Sequence, residues 1–541
     1  MNNVLKTEID NIMKPEKKTT PKVLPINNNV IPITKQAIIK EVTNKKNDLK
    51  PILHEAILGH LLEKVVPVDY RATAFPESIK IEKEIEALRK SIAKSDDSEE
   101  KIIELKRLKS KLNNYKLNRK HYTIITVEEI IRLAIKHNWG LAKQNNFIYI
   151  FNGEYWDLLG EQDVKAFLGK AAEKMGVDKF EARFCEFKKL LLSQFMEEAY
   201  LPKPERKYNR VLINLQNGTL EITPKGVKLR PHSRVDFLTY QSPFKYDKKA
   251  KATLFKKYLN TVQPDIERQN VLAEYIAYIF THHLKLEKAL LLYGSGANGK
   301  SVFFEIITAL LGRKNVTNYS LYNLTKEQGH YRAKIGDALL NYCSDINGKL
   351  ESSIFKLLVS GEPVEARALY GQPYVLNDYA KLMFNCNELP KNVELTNAFF
   401  RRFLIIPFDV TIPENEQDKE LSKKIIDSEL SGVFNWILEG LQRLLKQKNF
   451  SKCKAADDQL NDYRLNSDNL HLFLEDRFFT KSIKETETLD SLYLDYKMFC
   501  LDDNYRPFSK KNFSKQLESK GFEIKRRNSG KVVFIEKTNI D

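Results

Sequence analysis

The residues best suited to chemistry lie in one glycine-rich stretch. It fits the pattern G-x-x-x-x-G-K-[ST] in full and reads Gly294-Ser295-Gly296-Ala297-Asn298-Gly299-Lys300-Ser301. Glycines let the backbone curl until successive N–H groups point inward, which makes an anion site at a helix N-terminus. In such a loop Lys300 reaches the β- and γ-phosphates, and the hydroxyl of Ser301 ligates Mg²⁺. The stretch therefore predicts a site for a nucleoside triphosphate.

The segments on either side of this loop are the ones that such a site needs. Before it, Ala289 to Tyr293 is a short apolar run stopped by glycine, which predicts a buried strand. After it, Gly312 is placed to end a helix. The apolar residues of that helix recur at helical spacing: Phe303, Ile306, Ile307, Leu310 and Leu311. Strand, loop and helix in this order favour nucleotide binding over a chance glycine turn.

Two later strands are predicted to end in polar side chains near the phosphates. The run from Ala338 to Ser344 ends at Asp345, the predicted Mg²⁺-binding acid, with Asp337 as the alternative. A second run, from Lys381 to Cys386, ends at Asn387. Its amide is suited to hydrogen-bond the attacking water or the γ-phosphate. In both cases the alternative is a polar residue that merely ends a strand.

Two adjacent arginines, Arg401 and Arg402, lie between an aromatic pair and a third predicted strand. An arginine that reaches a neighbour's γ-phosphate offsets transition-state charge, an effect worth roughly 10³–10⁵ in rate. That role requires a ring of subunits with the sites at their interfaces. We assign Arg402 as this finger and Arg401 as the alternative. A structural ion pair is the other interpretation of either residue.

The segment from Ser360 to Tyr374 lies between these strands and is predicted to form a hairpin. Arg367, Tyr370 and Gln372 lie near its tip. An arginine beside an aromatic ring suits phosphate contact and base stacking. In a ring of ATPases, a hairpin at this place would project into the central channel. An ordinary surface hairpin is the alternative.

Composition sets the context for these motifs. A chain of 541 residues with 42% hydrophobic residues is long enough for several domains. The net charge of +17 favours a polyanion such as nucleic acid over a merely solubilising surface. No apolar run approaches the ~20 residues of a membrane span, so no membrane partner is expected. Five scattered cysteines fit a reducing cytosol.

The N-terminal half divides into three segments. Residues 1–50 are basic and aperiodic, which predicts a disordered tail. Residues 51–120 contain two charged amphipathic stretches, which predict a helical hairpin that acts either as a spacer or in partner binding. Residues 121–284 predict an α+β domain, in which Thr126 caps a helix, followed by a helical collar. An ATPase core is expected over residues 285–450.

Residues 451–541 are predicted to form a winged-helix domain. Helices that begin near Leu489 and Ser509 precede two strands joined by a turn at Asn528. Such a domain presents a helix and a hairpin to duplex DNA. The basic residues assigned to this contact are Lys510, Lys511, Lys515, Lys525, Arg526 and Arg527. A basic hairpin without a ligand is the alternative.

Together these motifs resemble the superfamily 3 helicases, specifically the helicase half of phage/plasmid-type and poxvirus-type primase-helicases. The glycine-rich loop, the strand ending at Asp345, SGEPVEARALYGQP, FNCNELP and FFRRFLIIPF follow one another in that family's order. The similarity covers about residues 121–541. The implied fold class is α/β, with an AAA+ P-loop ATPase core, an α+β N-terminal region and a C-terminal winged helix.

The resemblance also implies roles for individual residues. Lys300 and Ser301 carry ATP and Mg²⁺, Asp345 is the Walker B acid, Asn387 matches sensor 1 and Arg402 matches the arginine finger. The hairpin from Arg367 to Gln372 matches the DNA-translocating loop. One departure matters, because relatives often have a glutamate or two acids where this chain has Ser344-Asp345. The catalytic base therefore stays open between Asp345 and Glu351.

Relatives of this kind assemble as homo-hexamers that move 3′ to 5′ on single-stranded and forked DNA during replication of phages, plasmids or mobile elements. This implies a cytoplasmic location in a bacterial host or a virus-infected cell. The first 120 residues lack the paired aspartates of a nucleotidyl transferase, so we expect any primase or other replication partner to be a separate chain. An ATP-switched origin-binding or loading protein, and an RNA-directed viral helicase, are the alternative functions.

Overall fold

The computed structural model describes residues 52–538, except for residues 94–98, 138, 145–146, 199–209, 224–225, 282, 345, 347–349, 368–371, 392 and 529. The predicted tail, Asp345 and Tyr370 therefore lie outside the described residues. The chain forms two compact units: Met1–Glu205 with His232–Tyr240, and Arg206–Pro231 with Gln241–Asp541. This boundary cuts through the segment 121–284.

The first unit begins with helices whose amphipathic pattern decides their packing. They are α1 (Ile52–Glu63), α2 (Tyr70–Ala74), α3 (Pro76–Ile92) and α4 (Glu99–Asn113). Helices α3 and α4 pack on each other as a hairpin and bury one apolar stripe between them. The stripe consists of Ile85, Ile92, Ile102, Leu105 and Leu108. The charged residues around this stripe face outward, as the 3.6-residue period requires.

The remainder of the first unit contains more helices and a small antiparallel sheet. Its elements are α5 (Arg119–Lys136), β1 (Leu141–Gln144), β2 (Phe147–Phe151), β3 (Trp156–Leu159), α6 (Glu161–Met175), α7 (Lys179–Arg183) and α8 (Cys185–Glu198). The sheet has the order β1-β2-β3. One apolar cluster, from Leu58 to Phe195, joins the sheet to its helices.

The predicted helix cap at Thr126 is wrong. Helix α5 begins two turns earlier, at Arg119, because the side chain of Asn118 accepts a hydrogen bond from the backbone N–H of His121. Thr126 lies buried inside the helix, with its hydroxyl 2.8 Å from the hydroxyl of Tyr70. The first two turns are mostly polar, so the apolar period begins only after the helix has started.

The second unit opens with another antiparallel sheet and two helices. These elements are β4 (Val211–Leu215), β5 (Gly218–Thr223), β6 (Gly226–Arg230), α9 (Thr253–Val262) and α10 (Ile266–Tyr278). The two helices lead directly into the central sheet of the unit.

The central sheet is entirely parallel and has the strand order β13-β7-β12-β9-β8. Its strands and connections are β7 (Ala289–Tyr293), α11 (Lys300–Leu311), β8 (Val316–Thr317), α12 (Leu321–Thr325), β9 (Leu340–Cys343), α13 (Ser352–Ser360), β10 (Val364–Arg367), β11 (Pro373–Leu376), β12 (Lys381–Cys386), α14 (Asn397–Phe400) and β13 (Phe403–Pro407). Helices flank the sheet, so its strands are nearly continuous apolar runs. The predicted parallel α/β core is confirmed.

The chain then returns to the sheet before it forms a separate C-terminal region. Its elements are α15 (Leu421–Gln447), α16 (Lys454–Ser467), α17 (Asn469–Asp476), β14 (Phe479–Thr488), α18 (Leu489–Asp502), α19 (Lys510–Ser519), β15 (Ile524–Arg527) and β16 (Gly530–Lys537). Helix α16 packs on β13, and its Tyr463 belongs to the core of the central sheet. A second apolar cluster begins at Leu470 and holds the last elements together. None of the described helices has the length and apolar character needed to cross a membrane.

Candidate functional site

The glycine-rich loop joins β7 to α11 and depends on its glycines. Gly296, Ala297 and Gly299 have φ angles of 116°, 48° and 83°, which lie in the left-handed region that curls the backbone. A Cβ atom at Gly294 would lie 2.3 Å from Nδ2 of Asn298 and 2.5 Å from the carbonyl oxygen of Phe408. The loop is therefore a tight backbone cradle, and any side chain at Gly294 would clash with the atoms around it.

The ammonium group of Lys300 is held inside this cradle. Only 6% of the residue is exposed, and Nζ donates to the carbonyl of Gly294 at 2.7 Å and to Oδ1 of Asn298 at 3.1 Å. Asn298 is itself fixed, because its Nδ2 donates to the carbonyl of Phe408 at 3.0 Å. Burial lowers the pKa of Lys300 below its ordinary value. An anionic ligand would reverse that effect by stabilising the charged form.

Helix α9 supports the loop from one side. The hydroxyl of Tyr258 donates to the carbonyl of Gly299 at 2.8 Å, and a Cβ at Gly299 would lie 2.7 Å from Cγ1 of Val262. The exposed Ser301 stands in the first turn of α11. Backbone N–H groups at a helix N-terminus, one buried ammonium and one hydroxyl fit a triphosphate with Mg²⁺.

The segment that follows β13 supports the loop from the other side, a contact that the sequence did not predict. The backbone N–H of Ile412 donates to the carbonyl of Ala297 at 2.8 Å. The backbone N–H of Phe408 donates to the carbonyl of Tyr293 at 2.7 Å. Ile412 belongs to no recognisable motif, and Phe408 is only the last residue of the stretch FFRRFLIIPF. Backbone hydrogen bonds of this kind leave no signal in side-chain identity.

The ends of β12 and β9 lie beside the loop. Cys386 pairs with Tyr293, and the carbonyl of Cys386 accepts the N–H of Gly294 at 3.1 Å. Asn387 follows at once and is exposed at this edge. Strand β9 pairs with β12 so that Cys343 lies opposite Phe384, and the chain leaves β9 toward the same edge.

Two other acids, Asp337 and Glu351, are the alternatives at this site. Asp337 precedes β9 and so lies at the end of that strand away from the glycine-rich loop. Glu351 is exposed, directly before α13, and its carboxylate accepts the hydroxyl of Ser353 at 3.1 Å. This placement disfavours Asp337 as the Mg²⁺-binding acid.

A buried polar pair inside the sheet was also missed. The hydroxyl of Tyr342 on β9 donates to Oδ1 of Asn385 on β12 at 2.9 Å, and both residues are buried. The ring of Phe304 from α11 meets Tyr342 edge-on at 4.6 Å between centroids. The asparagine inside an apolar strand was the available signal. These contacts hold β9, β12 and α11 in fixed positions relative to one another.

Arg401 and Arg402 stand at the other end of the same sheet. Strand β13 is parallel to β7, with Phe403 opposite Ala289 and Pro407 opposite Tyr293. The arginines precede β13, whereas the loop follows β7. Each of these strands is five residues long, so at about 3.3 Å per residue the arginines and the loop lie roughly 16 Å apart along the strand direction. Neither arginine can therefore reach phosphates bound in the loop of its own chain.

The two arginines differ in what they contact. The guanidinium of Arg402 is 9% exposed and donates to Oγ of Ser360 from Nη2 at 2.9 Å and from Nε at 3.2 Å. Its Nη1 also donates to the carbonyl of Ala398. Arg401 is half exposed, and its Nη2 lies 2.9 Å from a carboxylate oxygen of Glu287. Arg402 is thus engaged within its own chain, whereas Arg401 is half exposed, and this geometry favours Arg401 over Arg402 as the finger.

The predicted hairpin is formed by β10 and β11, with Arg367 opposite Pro373. Arg367 and Gln372 are exposed near its tip, and Tyr370 lies outside the described residues. The base of the hairpin is held by Arg332, which is 3% exposed and donates from Nε to the carbonyl of Glu365 at 2.7 Å. Nothing in the sequence marked Arg332 for this role.

The basic residues of the C-terminal region are exposed. Lys511, Lys515 and Arg526 face outward, and Lys510 pairs with Asp490 of the preceding helix. The cationic groups of Lys525 and Arg527 lie 5.0 and 5.5 Å from the ring centroid of Phe534 on β16. Phe534 lies in the sheet β14-β16-β15, whose first strand was not predicted.

Two family models match this chain. Residues 128–264 match the family described as D5 N terminal like, and residues 292–402 match a family of unknown function, DUF5906. The second range contains the glycine-rich loop, the hairpin and both arginines.

Two viral proteins are similar to this chain. One, from Invertebrate iridescent virus 3, bears the name "Putative helicase 121R" and is 23% identical over 327 residues, which cover 53% of this chain and 35% of that protein. The other, "Putative helicase L207/L206" of Acanthamoeba polyphaga mimivirus, is 23% identical over 258 residues, 44% of this chain and 26% of its own length. The chain thus spans about a third and a quarter of these relatives.

Two solved structures of the NrS-1 C-terminal region, both described as A form apo structures, are also similar to this chain. They have TM-scores of 0.41 and 0.43 at 11% identity, and they cover 76% and 75% of this chain and 99% and 98% of their own. The family matches and the viral relatives confirm the resemblance stated from the motifs: over these ranges the chain resembles the D5-type helicases of superfamily 3.

Proposed function

We propose that this chain is the motor part of an ATP-dependent DNA helicase that works as a homo-hexameric ring. The carrying observation is that the phosphate cradle and the exposed Arg401 lie at opposite ends of one parallel sheet. A site completed by Arg401 must therefore lie between two copies of the chain. The order of the parallel strands, with the arginines directly before the outer strand β13, supports an AAA+ core of this kind.

The residues of the cradle have separate tasks in this proposal. The N–H groups of the loop and Lys300 bind the β- and γ-phosphates, and the hydroxyl of Ser301 holds Mg²⁺. Asn387 orients the attacking water, and Asp345 or Glu351 accepts its proton. When bound, Mg²⁺–ATP supplies the phosphoryl group whose transfer to water releases the energy for movement.

Arg401 supplies the positive charge from the adjacent subunit. Arg401 is half exposed, and among the described residues its side chain pairs with Glu287, so a γ-phosphate can take the place of one carboxylate. Arg402 would have to give up buried hydrogen bonds to do the same. The energetic difference favours Arg401 as the finger.

The DNA contacts are proposed for two regions. Arg367, Tyr370 and Gln372 on the hairpin grip one strand in the channel of the ring. In the C-terminal region, the order helix, strand, two helices and two strands supports a winged helix, whose basic side chains contact duplex DNA. Those side chains are Lys510, Lys511, Lys515, Lys525, Arg526 and Arg527.

The test of the shared site is a mixing experiment. Neither Arg401→Ala nor Lys300→Ala alone should hydrolyse ATP. In a mixture, the intact loop of an Arg401→Ala subunit meets the intact Arg401 of a Lys300→Ala neighbour, so part of the hydrolysis should return. A mixture as inactive as its components would refute a finger that acts between subunits.

The test of unwinding uses a forked DNA and the unaltered chain. ATP-dependent displacement of one strand, moving 3′ to 5′, is the expected result. ATP-dependent retention of the duplex without displacement would instead support an initiator or loading protein, a function that the exposed basic C-terminal region would also suit. Stimulation of hydrolysis by RNA alone would contradict a DNA substrate.

A further inference from the structure

We propose that Arg402 is a positioning residue that couples the nucleotide-sensing arginine to the DNA hairpin through Ser360. This inference rests on the proposed function and deepens it, since it assigns a connection between Arg401 and the hairpin of β10 and β11. It begins from the burial of Arg402, whose side chain is 9% exposed. Arg402 stands beside Arg401 in sequence, yet its guanidinium points into the protein toward α13.

The contact between Arg402 and α13 is specific and buried. Nε of Arg402 lies 3.3 Å from the carbonyl of Lys356 and 3.2 Å from Oγ of Ser360, one turn later on the same helix. Ser360 is 3% exposed. Hydrogen bonds that involve a charged donor are stronger than neutral ones, and they are costly to leave unmade when buried. The end of α13 is therefore tied to the turn that carries Arg401.

The end of α13 is also the root of the hairpin. Ser360 is its last residue, Gly361 ends it with a φ of 65°, and β10 begins at Val364. The returning strand is anchored at the same place, because the hydroxyl of Tyr379 donates to the carbonyl of Glu362 at 2.8 Å. Both strands of the hairpin thus leave from a point that Arg402 holds.

Glu287 connects the contact between Arg402 and Ser360 to the exposed Arg401. One carboxylate oxygen of Glu287 lies 2.9 Å from Nη2 of Arg401 and 3.7 Å from Nη2 of Arg402. When a neighbour's γ-phosphate draws Arg401 away, Glu287 keeps Arg402 as its remaining cation. The position of Arg402, and with it Ser360 and the hairpin root, then depends on whether the neighbouring site is filled.

The experiment removes the connection and leaves both ends intact. In Ser360→Ala, hydrolysis of ATP without DNA should continue, whereas the number of base pairs unwound per ATP should fall by about fivefold or more, the lower end of typical coupling effects. Ser360→Thr keeps the hydroxyl and should restore the ratio. Ser428→Ala, which removes an exposed helical hydroxyl that donates to the carbonyl of Lys424, serves as the control for loss of a serine hydroxyl.

Hydrogen exchange gives a second readout that does not depend on unwinding. Peptides covering residues 362–379 should change their exchange when a non-hydrolysable ATP analogue is added to the unaltered chain, and Ser360→Ala should abolish that change. If the change persists in Ser360→Ala, or the unaltered chain shows none, the coupling is refuted.

The kinetic results separate a coupling role from a structural one. An unchanged ratio of unwinding to hydrolysis in Ser360→Ala would overturn the proposal. So would a parallel loss of hydrolysis, unwinding and thermal stability, which would mean a purely structural role. Absence of hydrolysis or unwinding in the unaltered chain would refute the proposed function instead, and the exchange experiment would still decide the connection.

Discussion

The two ends of the central sheet are built on opposite principles. At the carboxyl ends of the strands, the loop around Lys300 is made of curled backbone, and within the described part of the chain the buried ammonium donates to neutral oxygens. At the amino ends, Arg402 is enclosed by hydrogen bonds and Arg401 is paired with Glu287. One end is a cradle suited to an anion, and the other has its charges already compensated within the chain.

This difference shows that burial and existing partners decide how much a charged side chain gains from binding a phosphate. A buried cation with only neutral partners gains much from a phosphate, because the phosphate offsets the cost of desolvation. A half-exposed arginine with one carboxylate partner can exchange that partner at little cost. A buried arginine with several hydrogen bonds gains least, which is why we propose a structural role for Arg402 and nucleotide contacts for Lys300 and Arg401.

The largest expected effect comes from removing the positive charge of Lys300 from the glycine-rich loop. Lys300→Ala should leave no measurable ATP hydrolysis and no unwinding, because the phosphates lose their buried cation. Activity and nucleotide binding would be measured beside Lys419→Ala, an exposed lysine that lies outside the loop. Normal unwinding by Lys300→Ala would contradict the assigned site.

The next effect comes from the exposed arginine. Arg401→Ala should lower the ATP turnover by about 10³, the lower range for arginine fingers. Nucleotide affinity and the melting temperature should stay unchanged, because a surface ion pair contributes about 0–1 kcal/mol to stability. If Arg401→Ala turned over ATP normally while Arg402→Ala did not, the two roles would have to be exchanged.

A smaller effect, and one of a different kind, is expected from the buried arginine. Arg402→Ala leaves Oγ of Ser360 and the carbonyl of Ala398 without their donor, at a cost of about 1–3 kcal/mol for each buried group. The free energy of unfolding, measured by urea denaturation, should fall in Arg402→Ala and not in Arg401→Ala. Equal stability of the two variants would mean that the buried contacts are not formed in solution.

The smallest effect concerns the proton on Lys300. Burial lowers its pKa in the free protein, and bound phosphate raises it, so binding takes up a proton once the pH exceeds the lowered value. Above that pH, nucleotide affinity should fall by up to about tenfold per pH unit. Calorimetry in two buffers of different ionisation enthalpy, over a pH series that rises to the ordinary lysine pKa of about 10.4, measures the uptake. Absence of proton uptake would contradict a desolvated Lys300.

Local patterns were sufficient for much of this molecule. Ala289 to Tyr293 forms the strand predicted from its apolar run, and Gly312 ends the next helix with a φ of 87°. The hairpin of β10 and β11 and the last two strands also follow their sequence signals. Thr126 shows the limit of such patterns, because a cap motif inside a helix cannot be told from one at its start when the first turns are polar.

The sequence by itself determined the nucleotide cradle and the strands that lead to it, because backbone curvature, apolar runs and one lysine are encoded within a few adjacent residues. Only the tertiary structure separated the half-exposed Arg401 from the buried Arg402, and only it revealed the contacts of Tyr258, Arg332 and Ser360. Their roles depend on partners tens of residues away in the chain. Burial and hydrogen bonding arise from those distant contacts, and identical residue types side by side carry no record of them.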